Sequence, residues 1–369
     1  MPSQGCDSEF WEELLPPGTR PERDPSEPDS DFRSGKSCKS CLSKRALSCR
    51  AARGIFKLLN WTQQADDAFF REHGGASLES FDLLEKEFSA HSTQDTIPIT
   101  CYSRNSNGRW ISLQSALSSG CISIEMTLFP AGNELLIAAN PDILARAMNL
   151  RGLYIDPLLR TFQEHYSKLE KLPSGAYPHQ TELSGVFSHD PTQSLVLLMN
   201  VDADPERVWS QLILQLEPLR EAGFLTYFNG SAVVPGPITI VATGNVPFHR
   251  ILERSTFRDV FFDAPLLQLL PLFDQGSPQY SDYNAQTSYY ASADFRTAIG
   301  NVDFNGFSDQ QLADVRHQVQ LAHGLGLKVR YLDTPDWPRK LRNYVWRILA
   351  REGVDIITVD ESVTGPQGT

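Results

Sequence analysis

From about residue 95 onward the sequence repeats one pattern: a short run of apolar, mostly β-branched residues, then a stretch with helical periodicity. Runs with no polar alternation belong to strands covered on both faces, and strands of that kind lie parallel, joined by helical crossovers. Eight such strands are predicted, over 97–101, 121–128, 194–201, 224–228, 238–243, 259–263, 327–332 and 355–359. The clearest helices are predicted over 205–222 with Asp204 as N-cap, over 309–323 ending at Gly324, and over 337–352 ending at Gly353. Eight strands with helical crossovers favour a closed (β/α)₈ barrel, an α/β TIM barrel, whose functional groups collect at the C-terminal ends of the strands.

The rest of the chain reads differently. Residues 1–55 mix Pro, Ser, Asp and Arg, as in Pro16-Pro17-Gly18 and Asp24-Pro25-Ser26-Glu27-Pro28, and bury too little apolar surface to fold, so a disordered tail is expected. A helical lead-in is expected over 56–94, with the barrel over 95–369. Cys38, Cys41 and Cys49 sit in the tail beside Lys and Arg. A zinc site there lacks a fourth ligand; acylation next to basic residues is a candidate membrane address, set against an unmodified tail. Cys101 and Cys121 lie within apolar runs and are expected to be free thiols behaving as small hydrophobes. No disulfide framework is indicated.

With 33 basic and 45 acidic residues the formal net charge is −12, which repels a phosphate backbone, so nucleic acid is not expected as a partner. No run of 18 apolar residues is present to cross a bilayer. No charged-then-apolar leader with a cleavage site is visible, so the expected location is cytoplasmic or peripheral to a membrane.

Particular residues resemble one family. Leu113 to Gly120 running into Cys121-Ile122-Ser123-Ile124-Glu125, then Leu153-Tyr154-Ile155-Asp156-Pro157, Leu225-Thr226-Tyr227-Phe228-Asn229-Gly230 and Thr243-Gly244-Asn245 are similar to the fungal family named altered inheritance of mitochondria protein 6. The likeness is strongest in Arg258-Asp259-Val260-Phe261-Phe262-Asp263-Ala264-Pro265, Ser288-Tyr289-Tyr290-Ala291-Ser292 and Gly326-Leu327-Lys328-Val329-Arg330-Tyr331-Leu332-Asp333. The resemblance implies the barrel of phosphatidylinositol phospholipase C and glycerophosphodiester phosphodiesterases; activity does not follow from fold alone.

The chemistry of that superfamily takes one histidine as base, another as acid, and a metal on carboxylates that offsets charge building on the phosphate. Where the first strand carries a His-Ser-His-Asn-Asp-Tyr-like run, this chain has Tyr102-Ser103-Arg104-Asn105-Ser106-Asn107. The Glu-x-Asp pair of the second strand becomes Glu125-Met126-Thr127, the acid histidine falls at Ala139, and an Asp-x-Lys-like ending becomes Asn200-Val201-Asp202. Both histidines and most carboxylates are thus replaced.

Candidates remain. Glu125 and Asp202, with Asn200 as a neutral ligand, offer oxygens suited to Mg²⁺ or Ca²⁺; the alternative is a polar remnant without metal. His249 is placed in a loop after a strand, as a replacement acid or base or as a plain surface histidine, and His179 and His189 carry the same two readings. Tyr102, Arg104, Asn229, Asn245, Asp333 and Asp360 are the substrate-pocket candidates, with helix capping as the alternative role for Asp333. Trp337 is expected to pack on the last helix. Three functions compete: a degenerate barrel that binds a phosphodiester, another small molecule or a partner; a divergent or repurposed metal-dependent hydrolase using Glu125, Asp202 and an unconventional base; and an interaction protein anchored through its tail.

Overall fold

A computed structural model describes residues 96–104, 113–138, 144, 148–170, 185–274, 282–303 and 305–359. The expectations for the tail and lead-in, with Cys38, Cys41 and Cys49, and those for Ala139, His179 and Asp360 lie outside the described residues.

Among the described residues twelve strands follow in chain order: β1 (Ile99–Arg104), β2 (Cys121–Ala131), β3 (Glu134–Ile137), β4 (Met148–Asn149), β5 (Leu195–Val201), β6 (Tyr227–Phe228), β7 (Val233–Val234), β8 (Ile238–Gly244), β9 (Val260–Pro265), β10 (Ser288–Asp294), β11 (Lys328–Leu332) and β12 (Ile356–Val359). The α-helices are α1 (Leu113–Ser118), α2 (Asp156–Glu170), α3 (Pro205–Gln215), α4 (Glu217–Glu221), α5 (Phe248–Leu252), α6 (Leu266–Asp274), α7 (Phe295–Ile299), α8 (Asp309–Gly324) and α9 (Arg339–Arg351). Strands β1, β2, β5, β8, β9, β10, β11 and β12 are joined in parallel in that order, and β12 pairs back with β1, so the sheet closes into an eight-stranded barrel. Closure leaves no barrel edge unpaired. Strand β2 runs past the barrel and carries β3 and β4 as an antiparallel extension.

Side chains alternate along each stave. Ile124, Met126 and Leu128 of β2 and Leu197, Met199 and Val201 of β5 join a buried cluster with Val208 and Leu212 of α3. A second cluster packs Ala264, Ala291 and Val329 against Val315, Val319 and Ala322 of α8 and Val345 and Leu349 of α9. The apolar shell between barrel and helices carries much of the core, and the inward positions are mixed, with Leu198 and Val241 as buried register neighbours of Glu125. Helix α8 starts on a capping box, in which Ser308 Oγ accepts from the Gln311 N–H and the Gln311 side chain accepts from the Ser308 N–H.

Several expectations are corrected. Residues 224–228 are not a stave: Leu225 makes one parallel bridge to Ile238, after which Tyr227–Phe228 folds back as a hairpin on Val233–Val234. Gly236 allows that return, since a Cβ there would lie 2.6 Å from the Leu225 carbonyl carbon. The missing stave is β10, whose serines, alanines and tyrosines lack the branched aliphatic signature. Cys101 and Cys121 are not free thiols; they form a disulfide across β1 and β2, with Cα atoms 4.9 Å apart, within the bridgeable range. Their separation of 20 residues hides an adjacency that the barrel creates. The helix expected over 205–222 breaks at Leu216, and Asp204, with φ 46°, makes no side-chain cap. Helix α9 begins after Pro338 with no side-chain cap from an acid, and Trp337 is 63 % exposed rather than packed.

Candidate functional site

Glu125 of β2 points across the barrel, as its partner Arg330 on β11 shows, and Ser123 and Thr127 share its face of the strand. Arg330 of β11 reaches the centre. Its side chain is 1 % exposed; Nη1 donates to Glu125 Oε2 at 2.7 Å, Nη2 to Asp263 Oδ2 at 2.7 Å, and Nε to Ser292 Oγ at 2.9 Å. The guanidinium lies 4.8 Å from the ring centroid of Tyr102 and 5.8 Å from that of Tyr290, so aromatic faces cover directions that the carboxylates leave open. Burial alone would drive the guanidinium toward neutrality, but the Asp263 and Glu125 carboxylates outweigh it and hold the Arg330 pKa above its ordinary value. Burial pushes the Tyr290 phenol well up, so it is neutral at physiological pH.

Asp263 is the second hub. Its Oδ2 also accepts from Thr243 Oγ1 at 2.8 Å, and its Oδ1 accepts from Ser292 Oγ at 2.5 Å. Thr127, Asn200 and Thr243 are register neighbours around β2, β5 and β8. Asn200 Nδ2 donates to Thr127 Oγ1 and to Asp202 Oδ1, both at 3.1 Å. A carboxylate only accepts, so the amide orientation is fixed with its nitrogen toward Asp202. Asn245 Nδ2 donates to the Asp202 carbonyl at 2.8 Å, closing the rim between β5 and β8.

A divalent cation can be tested against this donor set, and it does not fit. The Glu125 carboxylate is held by Arg330. Its register partner on β5 is Leu198; Asp202 lies four residues further on, a rise of about 13 Å along the strand. Ligand distances of about 2.0–2.6 Å leave no common position for the two acids. Asn200 spends its amide on hydrogen bonds between Thr127 and Asp202. Among the described residues no group of three or more His, Cys, Asp or Glu side chains is arranged to hold a metal ion.

The other candidates are dispersed. Tyr102 is fully buried beneath Arg330. Arg104 ends β1 beside Glu125 in register. His249, in α5, is 61 % exposed with Nε2 3.9 Å from Glu206 Oε1, in a surface group where Arg250 pairs with Glu206 and Glu253. His189 is exposed on the connection before β5. Asn229 turns the β6–β7 hairpin, its Oδ1 accepting from Ser231 and Ala232 N–H groups. Phe228 in that hairpin bridges Arg258, which precedes β9, so Asn229 sits at the N-terminal end of the barrel, away from the mouth. Asp333 is exposed just past β11, with φ 52°, a left-handed conformation uncommon outside glycine.

Arg330, Asp263, Ser292 and Thr243 were not among the sequence candidates, although a signal existed. A parallel stave covered on both faces should be apolar, so Arg330 between Val329 and Tyr331, and Asp263 between Phe262 and Ala264, each demand a buried partner.

Comparison with known proteins gives a consistent picture. Residues 90–263 match the AIM6-like phosphodiesterase domain. The chain is 32 % identical over 279 residues to "Altered inheritance of mitochondria protein 6 homolog" of Arthroderma benhamiae, covering 73 % of this chain and 83 % of that protein. It is 29 % identical to "Altered inheritance of mitochondria protein 6" of Eremothecium gossypii, covering 73 % and 69 %, and 25 % identical to the protein of that name from Saccharomyces cerevisiae strain S288c, covering 72 % and 70 %. No solved structure matches.

Proposed function

The chain belongs to the altered inheritance of mitochondria protein 6 family, and from that premise we propose that it is a degenerate phospholipase C-like phosphodiesterase barrel, which binds a ligand or partner at its mouth without hydrolysing phosphodiesters. The observation that carries this reading is the ion pair at the barrel centre. Phosphodiester cleavage in such a barrel needs a cation that meets the substrate and groups that move protons. Here the central cation is a guanidinium whose three nitrogens each donate to one of Glu125, Asp263 and Ser292. It neutralises the one glutamate of the family's second-strand pair that this chain keeps. The tyrosines beneath it are buried, and His249 stands at the outer surface.

What the mouth presents instead is a ring of neutral hydrogen-bonding groups: Thr127, Asn200, Thr243 and Ser292, with exposed Asp202 and Asn245 at the rim. Such a surface can orient a polar small molecule through hydrogen bonds. The test is turnover of generic phosphodiesters by the purified full chain, with and without Mg²⁺ or Ca²⁺. No metal-dependent product above background is expected. Robust turnover abolished by Glu125→Gln would overturn the proposal and restore the metal-dependent hydrolase.

A further inference from the structure

Helix α9 has an unusual charge pattern for this chain. Arg339, Lys340, Arg342, Arg347 and Arg351 give it five of the chain's 33 basic residues and none of its 45 acidic ones. Its apolar side is fixed in the core through Val345, Trp346, Ile348 and Leu349; Arg342 lies over the Trp346 ring and Arg351 pairs with Glu352, while Arg339, Lys340 and Arg347 are exposed. Lys340 and Arg347 are both exposed and stand seven residues apart, two turns along one face, a span of about 10 Å. Immediately before the helix, on the loop leaving the C-terminal end of β11, Trp337 holds a 63 % exposed side chain.

We propose that this face, Trp337 with Lys340 and Arg347, is a docking surface for an anionic lipid bilayer. The charge pattern and the indole make the same choice of partner. Exposed basic groups within a Debye length of an anionic surface are attracted to it, and at physiological salt that length is about 8 Å. Two exposed acids, Asp333 and Asp336, stand on the loop before the helix and offset part of this charge; acids more than a Debye length away are screened from the contact. An indole is the side chain best suited to the headgroup layer, where its ring is half in hydrocarbon and its N–H stays wet. No helix among the described residues is long and apolar enough to cross a membrane, so attachment through this face is peripheral. Trp337 follows the C-terminal end of β11, and Lys340 and Arg347 run from there along α9, so docking lays the outer flank of that helix against the headgroups. The inference is independent of whether the barrel cleaves phosphodiesters.

The test is co-sedimentation of the full chain with phosphatidylcholine vesicles, with and without about 30 mol % phosphatidylserine, and with poly-glutamate beads as a second anionic surface. Binding to the anionic vesicles alone is expected, and it should be lost at about 0.5 M salt, where the Debye length shrinks to about 4 Å. The pair Lys340→Glu and Arg347→Glu should weaken binding roughly tenfold or more, and Trp337→Ala should weaken it several-fold. Leu214→Ala, at a residue 67 % exposed on α3, should leave it unchanged. Far-UV circular dichroism checks that each variant is folded. Binding insensitive to the α9 and Trp337 substitutions, absence of vesicle binding by the unaltered chain, or capture by poly-glutamate without vesicle binding would each overturn the proposal, the last giving the face to an acidic protein.

Discussion

Replacing Arg330 with methionine keeps an unbranched, apolar stem and removes the guanidinium. Glu125 and Asp263, whose side chains are 6 % and 2 % exposed, then stand buried without their cation. Breaking a buried pair in this way costs about 3–5 kcal/mol, and two carboxylates sharing one cation place Arg330→Met at the upper end. Against a typical total of about 5–15 kcal/mol that is a large fraction, and for a barrel of this size it corresponds to a fall in Tm of about 10–15 °C. The pH dependence separates loss of charge from loss of volume. In the variant, burial favours the protonated acids, so the folded state binds more protons than the unfolded chain and stability falls as pH rises. The deficit should therefore be full at pH 7 and shrink toward pH 5, whereas a packing defect stays constant. Adding Glu125→Gln and Asp263→Asn to Arg330→Met should recover most of the loss at pH 7, because no buried charge remains. Denaturant unfolding across that pH range reads both effects. A deficit under about 1 kcal/mol, or one equal at pH 5 and pH 7, would refute a desolvated triad.

The Cys101–Cys121 disulfide closes a loop of 20 residues and should contribute about 3 kcal/mol; reduction should lower Tm and open both thiols to labelling, and labelling before reduction would count against the bond. Ser308→Ala removes the acceptor for the Gln311 N–H and should destabilise α8 by about 1 kcal/mol in denaturant titration. Burial raises the Glu352 pKa, but hydrogen bonds from Arg316 and Arg351 outweigh it and hold it below its ordinary 4.5. This stabilisation is present above the unfolded value and is lost as pH falls through the lowered one, so Arg316→Ala should lower stability slightly at pH 7 and progressively less below pH 4.5, read by denaturant titration at both pH values.

Much of the barrel could be read from residue pattern because its staves obey a simple physical rule. Strand β5 is a nearly continuous apolar run, and β2 and β8 are apolar at most positions, as burial between a barrel interior and helices demands. Strand β10 escaped because Ser288, Ala291, Ser292 and Ala293 are small: where a large tyrosine or an arginine fills the interior, its neighbours must be small, and the strand loses its hydrophobic signature. Residues 224–228 carry that signature yet lie at the barrel's N-terminal end, since burial under a hairpin selects the same aromatic side chains as burial in a sheet. The site was legible as a set of replacements, not as a structure. Tyr102, Glu125 and Asn200 all line the interior, but what binds them is set by residues up to 205 positions away, the separation of Glu125 and Arg330, and no local pattern reports that distance.

The central claim is that a guanidinium fills the place a divalent cation would need. Isothermal titration of Mg²⁺ and Ca²⁺ tests it most directly, on the full chain and on Arg330→Met at a pH where both are folded. The unaltered chain should show no saturable binding that Glu125→Gln removes, and Arg330→Met, with two carboxylates newly bare, should gain it. Stoichiometric binding by the unaltered chain that is lost on Glu125→Gln would contradict the account.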